Sequence, residues 1–128
     1  MKKKIFIVVA DYYKDISTGL LYSAKTKLKT SYTIKIIRVS GVFEITVTIS
    51  KNIKKYDAFI ALGCVIKGQT PHFEFISSAA TNAIMDLSIN FKKPIGNGIL
   101  TCLSMKQAKA RKRKGAEAAN AVISVLSQ

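Results

Sequence analysis

In the segment 57–66 everything after Asp57 is apolar, on both alternating faces of an extended strand. A strand of this kind must be covered by helices on each side, and that requires a parallel sheet whose strands are joined by crossover connections. The rest of the chain follows the same scheme. Residues 5–9 and Thr33–Val39 read as strands, and between them Ile16, Leu20, Leu21, Ala24 and Leu28 recur at helical spacing. Ile76, Ala79, Ala80, Ala83, Ile84 and Leu87 form the apolar stripe of a further helix, residues 94–102 a fourth strand, and Ala119, Val122, Ile123 and Leu126 the stripe of a closing helix. Strands alternating with helices predict right-handed crossovers and a three-layer α/β sandwich on a four-stranded parallel sheet. Residues 43–50 alternate like a strand and are rich in β-branched side chains, yet a crossover is needed at that point, so a helix is expected there.

At 128 residues the chain is expected to form one domain, 1–128, with a core on both sides of a small sheet. Its longest apolar run, 59–66, is far too short to cross a bilayer, and Met1 is followed by lysines and then a strand, without a cleavable signal pattern. A cytoplasmic protein with no membrane partner is expected. Cys64 and Cys102 lie in apolar, strand-like segments without metal-ligand spacing, and read as buried small hydrophobes in a reducing compartment. The 21 Lys and Arg against 7 Asp and Glu give a net charge of +14, which raises the question of nucleic acid. The lysines are spread over the ends and outer faces of elements with no interleaved aromatics, so solvated surface and anionic ligands are the favoured reading. The charge run Lys112-Arg113-Lys114 precedes Gly115 and reads as a solvated kink between two helical pieces.

The junction after the third strand is where such folds do chemistry. Gly68 loosens the backbone, Thr70 is placed to cap a helix, and Pro71 suits its first position. The amino end of that helix offers free N–H groups and a positive dipole to an anion, and His72, the only histidine, stands beside it. A proton-transfer group next to an anion cradle points to an enzyme acting on a phosphorylated substrate. The plainer reading of His72 is a capping or partly buried structural residue, and a Cys64 nucleophile paired with His72 conflicts with the burial of Cys64 inside a strand.

Four separated segments resemble the 6,7-dimethyl-8-ribityllumazine synthase family, in the family's order. The run Gly63-Cys64-Val65-Ile66-Lys67-Gly68-Gln69-Thr70-Pro71-His72-Phe73 is similar to its G-x-V-I-(R/K)-G-x-T-x-H-F segment. Ser40-Gly41-Val42-Phe43-Glu44-Ile45 resembles P-G-A-F-E-I, and Gly98-Ile99-Leu100-Thr101 with Gln107-Ala108 and Arg111 resembles G-V-L-T followed by Q-A-x-x-R. Lys114-Gly115-Ala116-Glu117-Ala118-Ala119 matches the closing K-G-x-E-A-A.

The resemblance implies a flavodoxin-like fold and the condensation of 5-amino-6-(D-ribitylamino)uracil with 3,4-dihydroxy-2-butanone 4-phosphate, the penultimate step of riboflavin biosynthesis, with no metal or organic cofactor. It implies that His72 transfers protons, that Gly68, Gln69 and Thr70 cradle the phosphate, and that Arg111 clamps it from a neighbouring subunit. Tyr12 would stack on the pyrimidine, and Glu44 and the Val42 backbone would bind ribityl hydroxyls. Phe43, Cys64, Val65, Ile66, Asn97 and Lys114 complete the implied binding set. Tyr12, Glu44 and Arg111 also have plainer readings, as loop packing, a helix-terminus carboxylate and surface charge. There are departures: Asn97 stands where many members carry Phe, Asp11-Tyr12-Tyr13 replaces R-F-N, and Ser40 replaces Pro. The stretch between Arg111 and Gly115 is about five residues shorter than the longer family form, as trimmed loops are. The expected assembly is a cyclic homopentamer with sites between adjacent subunits, and a free pentamer rather than a shell, because shell-forming members carry an amino-terminal extension while the first strand here begins within a few residues of Met1. The competing functions are a non-enzymatic basic module that binds nucleic acid or another polyanion, and a flavodoxin-like nucleotide binder. The second lacks both G-x-G-x-x-G and a P-loop.

Overall fold

The structure is a computed structural model that describes residues 2–69 and 71–128. The chain forms β1 (Lys4–Ala10), α1 (Lys14–Lys25), β2 (Thr33–Val39), a 3-10 turn (Val42–Glu44) running into α2 (Ile45–Asn52), β3 (Ala58–Ile66), α3 (His72–Phe91), β4 (Ile95–Cys102), α4 (Met105–Ala110) and α5 (Lys114–Leu126). All strand pairs are parallel, in the order β2-β1-β3-β4. The two inner strands are buried along almost their whole length, while β2 at one edge is only half-buried. That difference follows from position: β1 and β3 are covered on both faces, which their unbroken apolar sequence requires.

Side chains alternate between two cores. Ile5, Ile7, Val9, Ile60 and Leu62 meet Ile16, Leu20 and Ala24 of α1 and Ala119 and Val122 of α5. Phe6, Val8, Phe59 and Ala61 meet Ile45 and Ile49 of α2 and Ala80 and Ile84 of α3. These are the three layers that alternating strands and helices predict. No helix among the described residues is long and apolar enough to cross a membrane.

The segment 43–50 is helical, as its place between parallel strands demands. Ile45 and Ile49, one turn apart, are both fully buried, so one helical stripe serves the core where strand alternation would have split its apolar residues between two faces. Several local expectations change. Leu28 lies beyond α1 and reaches the core from the following loop. Pro71 caps α3 rather than opening it, because its carbonyl accepts the amides of Glu74 (3.1 Å) and Phe75 (3.2 Å). Thr70 lies outside the described residues. The backbone conformation at Gly68 does not require a glycine: no glycine among the described residues has a positive φ, and a Cβ at 68 would meet nothing within 4 Å.

The basic run does join two helical pieces, α4 and α5, with Arg113 exposed, but Gly115 at its end is not part of that solvated kink. It is buried, one residue into α5, where α5 crosses α1 so closely that a Cβ would overlap the Leu20 carbonyl oxygen. The Ala116 amide donates to Ser23 Oγ (2.9 Å) at the same crossing. Only a glycine lets the two backbones approach this far.

Candidate active site

The strand order places β1 between β2 and β3, so the connections leaving β1 and β2 part to opposite sides of the sheet. A crevice opens at the carboxyl ends of strands at such a switch point, and ligands of open α/β sheets bind there. Four pieces of chain line a cavity of about 440 Å³ at this place: Tyr12 and Tyr13 after β1, Gly41 to Phe43 after β2, Cys64 to Ile66 at the end of β3, and His72 and Ile76 from the start of α3. The volume suits a small organic molecule, and its walls are mostly apolar with a few polar groups to orient a ligand.

Tyr12 is 75% exposed and meets Tyr13 edge-to-face, ring centroids 4.9 Å apart and planes at 82°. Tyr13 is half-buried against the core; burial pushes its phenol above the ordinary value, with the neighbouring Tyr12 and Cys64 adding to the effect. The loop is pinned before and after the two rings. The Asp11 amide donates to the Val39 carbonyl (2.9 Å), while its carboxylate accepts Arg38 Nη1 and Ser17 Oγ, each at 3.0 Å. Beyond it, the Ser17 amide donates to the Tyr13 carbonyl (3.0 Å).

Glu44 stands beside the cavity in an adjoining groove of about 410 Å³ between α2 and α3, with Phe43, Val47, Ile76 and Ala83. Ser40 Oγ donates to Glu44 Oε1 (3.0 Å), so the serine that replaces the family's proline orients the carboxylate. Cys64 is buried, and burial together with the adjacent Cys102 pushes its thiol up to about 12. A thiol held protonated at neutral pH is a wall, not a nucleophile.

His72 is the first residue of α3 and is exposed at the cavity, where the positive end of a 20-residue helix dipole is directed. Gly68 and Gln69 are exposed between β3 and α3, outside the cavity lining. Lys67 Nζ stands 4.0 Å from Glu74 Oε1 on the same side.

The remaining predicted residues lie elsewhere. Arg111, at the end of α4, and Lys114, at the start of α5, line a separate pocket of about 480 Å³ along β4, together with Thr101, Arg113 and Glu117. It has no lining residue in common with the His72 cavity. Ser104 and Gln107 fix this region, Ser104 Oγ accepting the Gln107 amide (3.2 Å) and Gln107 Oε1 accepting the Leu103 amide (2.8 Å). Asn97 lines neither pocket. Its Oδ1 accepts the Ile99 amide (3.0 Å), which satisfies a backbone donor on the edge strand β4.

Sequence reasoning missed Tyr13, Gly41 and Ile76 in the first pocket and, among the polar residues of the second, Thr101, Arg113 and Glu117. Tyr13 carried a signal, a second aromatic ring at the end of β1. Arg113 was visible only as part of the charge run. Among the described residues no group of three or more His, Cys, Asp or Glu is placed to hold a metal ion.

The family model for 6,7-dimethyl-8-ribityllumazine synthase matches residues 2–128. The 6,7-dimethyl-8-ribityllumazine synthase 1 of Rhodopseudomonas palustris is 40% identical over 136 residues, covering 96% of this chain and 83% of the relative. The synthase of Cutibacterium acnes is likewise 40% identical, over 97% of this chain and 80% of the relative. That of Corynebacterium kroppenstedtii is 38% identical, over 94% and 80% respectively.

Proposed function

The chain belongs to the 6,7-dimethyl-8-ribityllumazine synthase family, and on that premise we propose that the His72 cavity is where it condenses 5-amino-6-(D-ribitylamino)uracil with 3,4-dihydroxy-2-butanone 4-phosphate. The products are 6,7-dimethyl-8-ribityllumazine, phosphate and water. The observation that carries this reading is the convergence of Tyr12, Val42, Phe43, Cys64, Val65, Ile66 and His72 on one small cavity at the switch point of the sheet.

In this reading the pyrimidine stacks on Tyr12 with its other edge toward the end of β3, and Val42 and Glu44 take the ribityl hydroxyls. The butanone phosphate lies toward the start of α3, its phosphate between Gly68, Gln69 and Thr70. Holding two reactants face to face supplies much of the acceleration, since the entropy of bringing them together is lost on binding rather than in the reaction step. The 5-amino group attacks the ketone and loses water to form a Schiff base, phosphate leaves by elimination, and the ribitylamino nitrogen closes the ring on the remaining carbonyl carbon with loss of a second water. His72 moves the protons of these steps. Open space at Gly68 supports the cradle, because a side chain there would occupy room that the phosphate needs.

Arg111 and Lys114 reach the same phosphate only from a second copy. Support comes from their pocket, which is separate from the His72 cavity within one chain and rich in cations. The exposed apolar side chains Phe43 (69%) and Val47 (58%) on the groove between α2 and α3 supply a surface for the neighbour to cover. A cyclic homopentamer in the cytoplasm is the assembly we propose, each site completed across a boundary between adjacent subunits. The binding of Asn97 and Lys114 to substrate belongs to the same proposal. For Asn97 the ligand would have to compete with the Ile99 amide.

Mixing the purified protein with both substrates should give the absorption and fluorescence of the lumazine. Absence of product, with salt-sensitive binding of nucleic acid instead, would support the non-enzymatic alternative. Arg111→Ala should raise the KM for the butanone phosphate by roughly 10- to 100-fold, the value of a charge-assisted contact. The KM for the pyrimidine should change little. Equal effects on both would contradict a dedicated phosphate clamp.

A further inference from the structure

We infer that Tyr13 is a positioning residue for the pyrimidine, holding the ring of Tyr12 at the angle at which it stacks. This rests on the reading of Tyr12 as the stacking ring and adds a residue that the family pattern places as Asn. Tyr12 is three-quarters exposed, and an exposed aromatic side chain rotates freely unless something fixes it. The ring contact it makes is with Tyr13, edge-to-face at 4.9 Å and 82°, a favoured arrangement for two aromatic rings.

Tyr13 is in a position to impose that angle. It is half-buried, packs on the core formed with α1 and α5, and precedes α1 with its carbonyl engaged by the Ser17 amide (3.0 Å). On the other side of Tyr12, Asp11 is held by Val39, Arg38 and Ser17. The backbone is thus fixed on both sides of Tyr12, and the Tyr13 edge fixes the remaining freedom, that of the Tyr12 ring. Both tyrosines line the His72 cavity. The two rings form a corner, one presenting a face to the ligand and the other setting the direction of that face. A tyrosine phenol is neutral at ordinary pH, and burial moves that of Tyr13 further from ionisation, so no charge disturbs the corner.

The test is a double-mutant cycle read in steady-state kinetics. Tyr13→Leu keeps an apolar side chain against the core and removes the ring. It should raise the KM for the pyrimidine roughly three- to tenfold, the range of an aromatic pair, and leave the KM for the butanone phosphate in place. In a Tyr12→Leu background the same substitution should have no further effect, and Tyr13→Phe, which restores the ring, should recover most of the loss. Tyr13→Met, flexible enough to refill the contact, is the second variant should Tyr13→Leu not fold. Undiminished loss in the Tyr12→Leu background would overturn the inference, and so would a loss in Tyr13→Phe as large as in Tyr13→Leu. A Tyr12→Leu effect with none from Tyr13→Leu removes this inference alone. A wild-type KM in Tyr12→Leu removes the stacking reading as well.

Discussion

Replacing His72 by alanine is expected to slow single-turnover formation of the lumazine by roughly 10²- to 10⁴-fold, the usual worth of general acid-base help. Pyrimidine binding should change little. The separation of rate from affinity follows from the arrangement of the cavity: the Tyr12 face and most of the apolar walls are supplied by the loop after β1, the segment after β2 and the end of β3, whereas His72 enters at the first residue of α3. If His72 carries protons as proposed, removing its exposed imidazole takes that carrier from the reaction and little packing from the fold. Equilibrium titration with the pyrimidine alone, set beside rapid mixing with both substrates, measures the two quantities separately. A wild-type single-turnover rate in His72→Ala would take His72 out of the chemistry.

Gly115→Ala should produce the largest loss of stability, about 3 kcal/mol for a methyl forced into a filled contact. A chain of this size should then melt roughly 10 °C lower. The obstacle is backbone, not a movable side chain. A Cβ at 115 would overlap the Leu20 carbonyl oxygen and stand 3.1 Å from the Ala24 amide nitrogen, so α5 must withdraw from α1 as a whole. Withdrawal would also stretch the bond from the Ala116 amide to Ser23 Oγ and open the core where Ala119 and Val122 pack. Gly68→Ala is the contrast, since a Cβ there meets nothing within 4 Å and should leave the melting temperature nearly unchanged. Thermal unfolding of the two variants side by side decides the matter, and equal melting temperatures would refute the close-approach argument.

Much of the fold was legible because burial on two faces leaves a continuous apolar record. The run ending at Ile66 requires helices above and below, and those requirements fix the class of the sheet before any contact is known. The segment 43–50 shows how a global constraint outranks a local one: its alternation favours a strand, but a parallel connection has to cross the sheet, and a helix with Ile45 and Ile49 on one stripe does so. Gly115 was illegible because a close backbone approach leaves no mark on the sequence other than the glycine itself, and the neighbouring lysines and arginine suggest solvent. The candidate site was partly legible for a similar reason. Residues that end a strand or follow one in sequence, such as Cys64 to Ile66 and Tyr12, gather at one edge by topology alone. Arg111 and Lys114 also follow a strand, yet β4 is an edge strand and their pocket shares no lining residue with the His72 cavity. Asn97 was implied as a pocket wall only by the resemblance, at a position where many members carry Phe, and in the structure its Oδ1 accepts the Ile99 amide.

The central claim is that the catalytic cavity of one chain is completed by the cation pocket of the next. Co-expressing His72→Ala and Arg111→Ala subunits tests it directly, because each chain brings to a shared site the residue that the other lacks. In a head-to-tail ring with random mixing, roughly a quarter of the sites would receive an intact His72 from one chain and an intact Arg111 from its neighbour. Mixed rings, verified by mass spectrometry, should therefore recover about a quarter of wild-type activity although each mutant alone is impaired. Activity in verified mixed rings no greater than the average of the two mutants would contradict the account, since His72 and Arg111 would then have to serve within a single chain or not together at all.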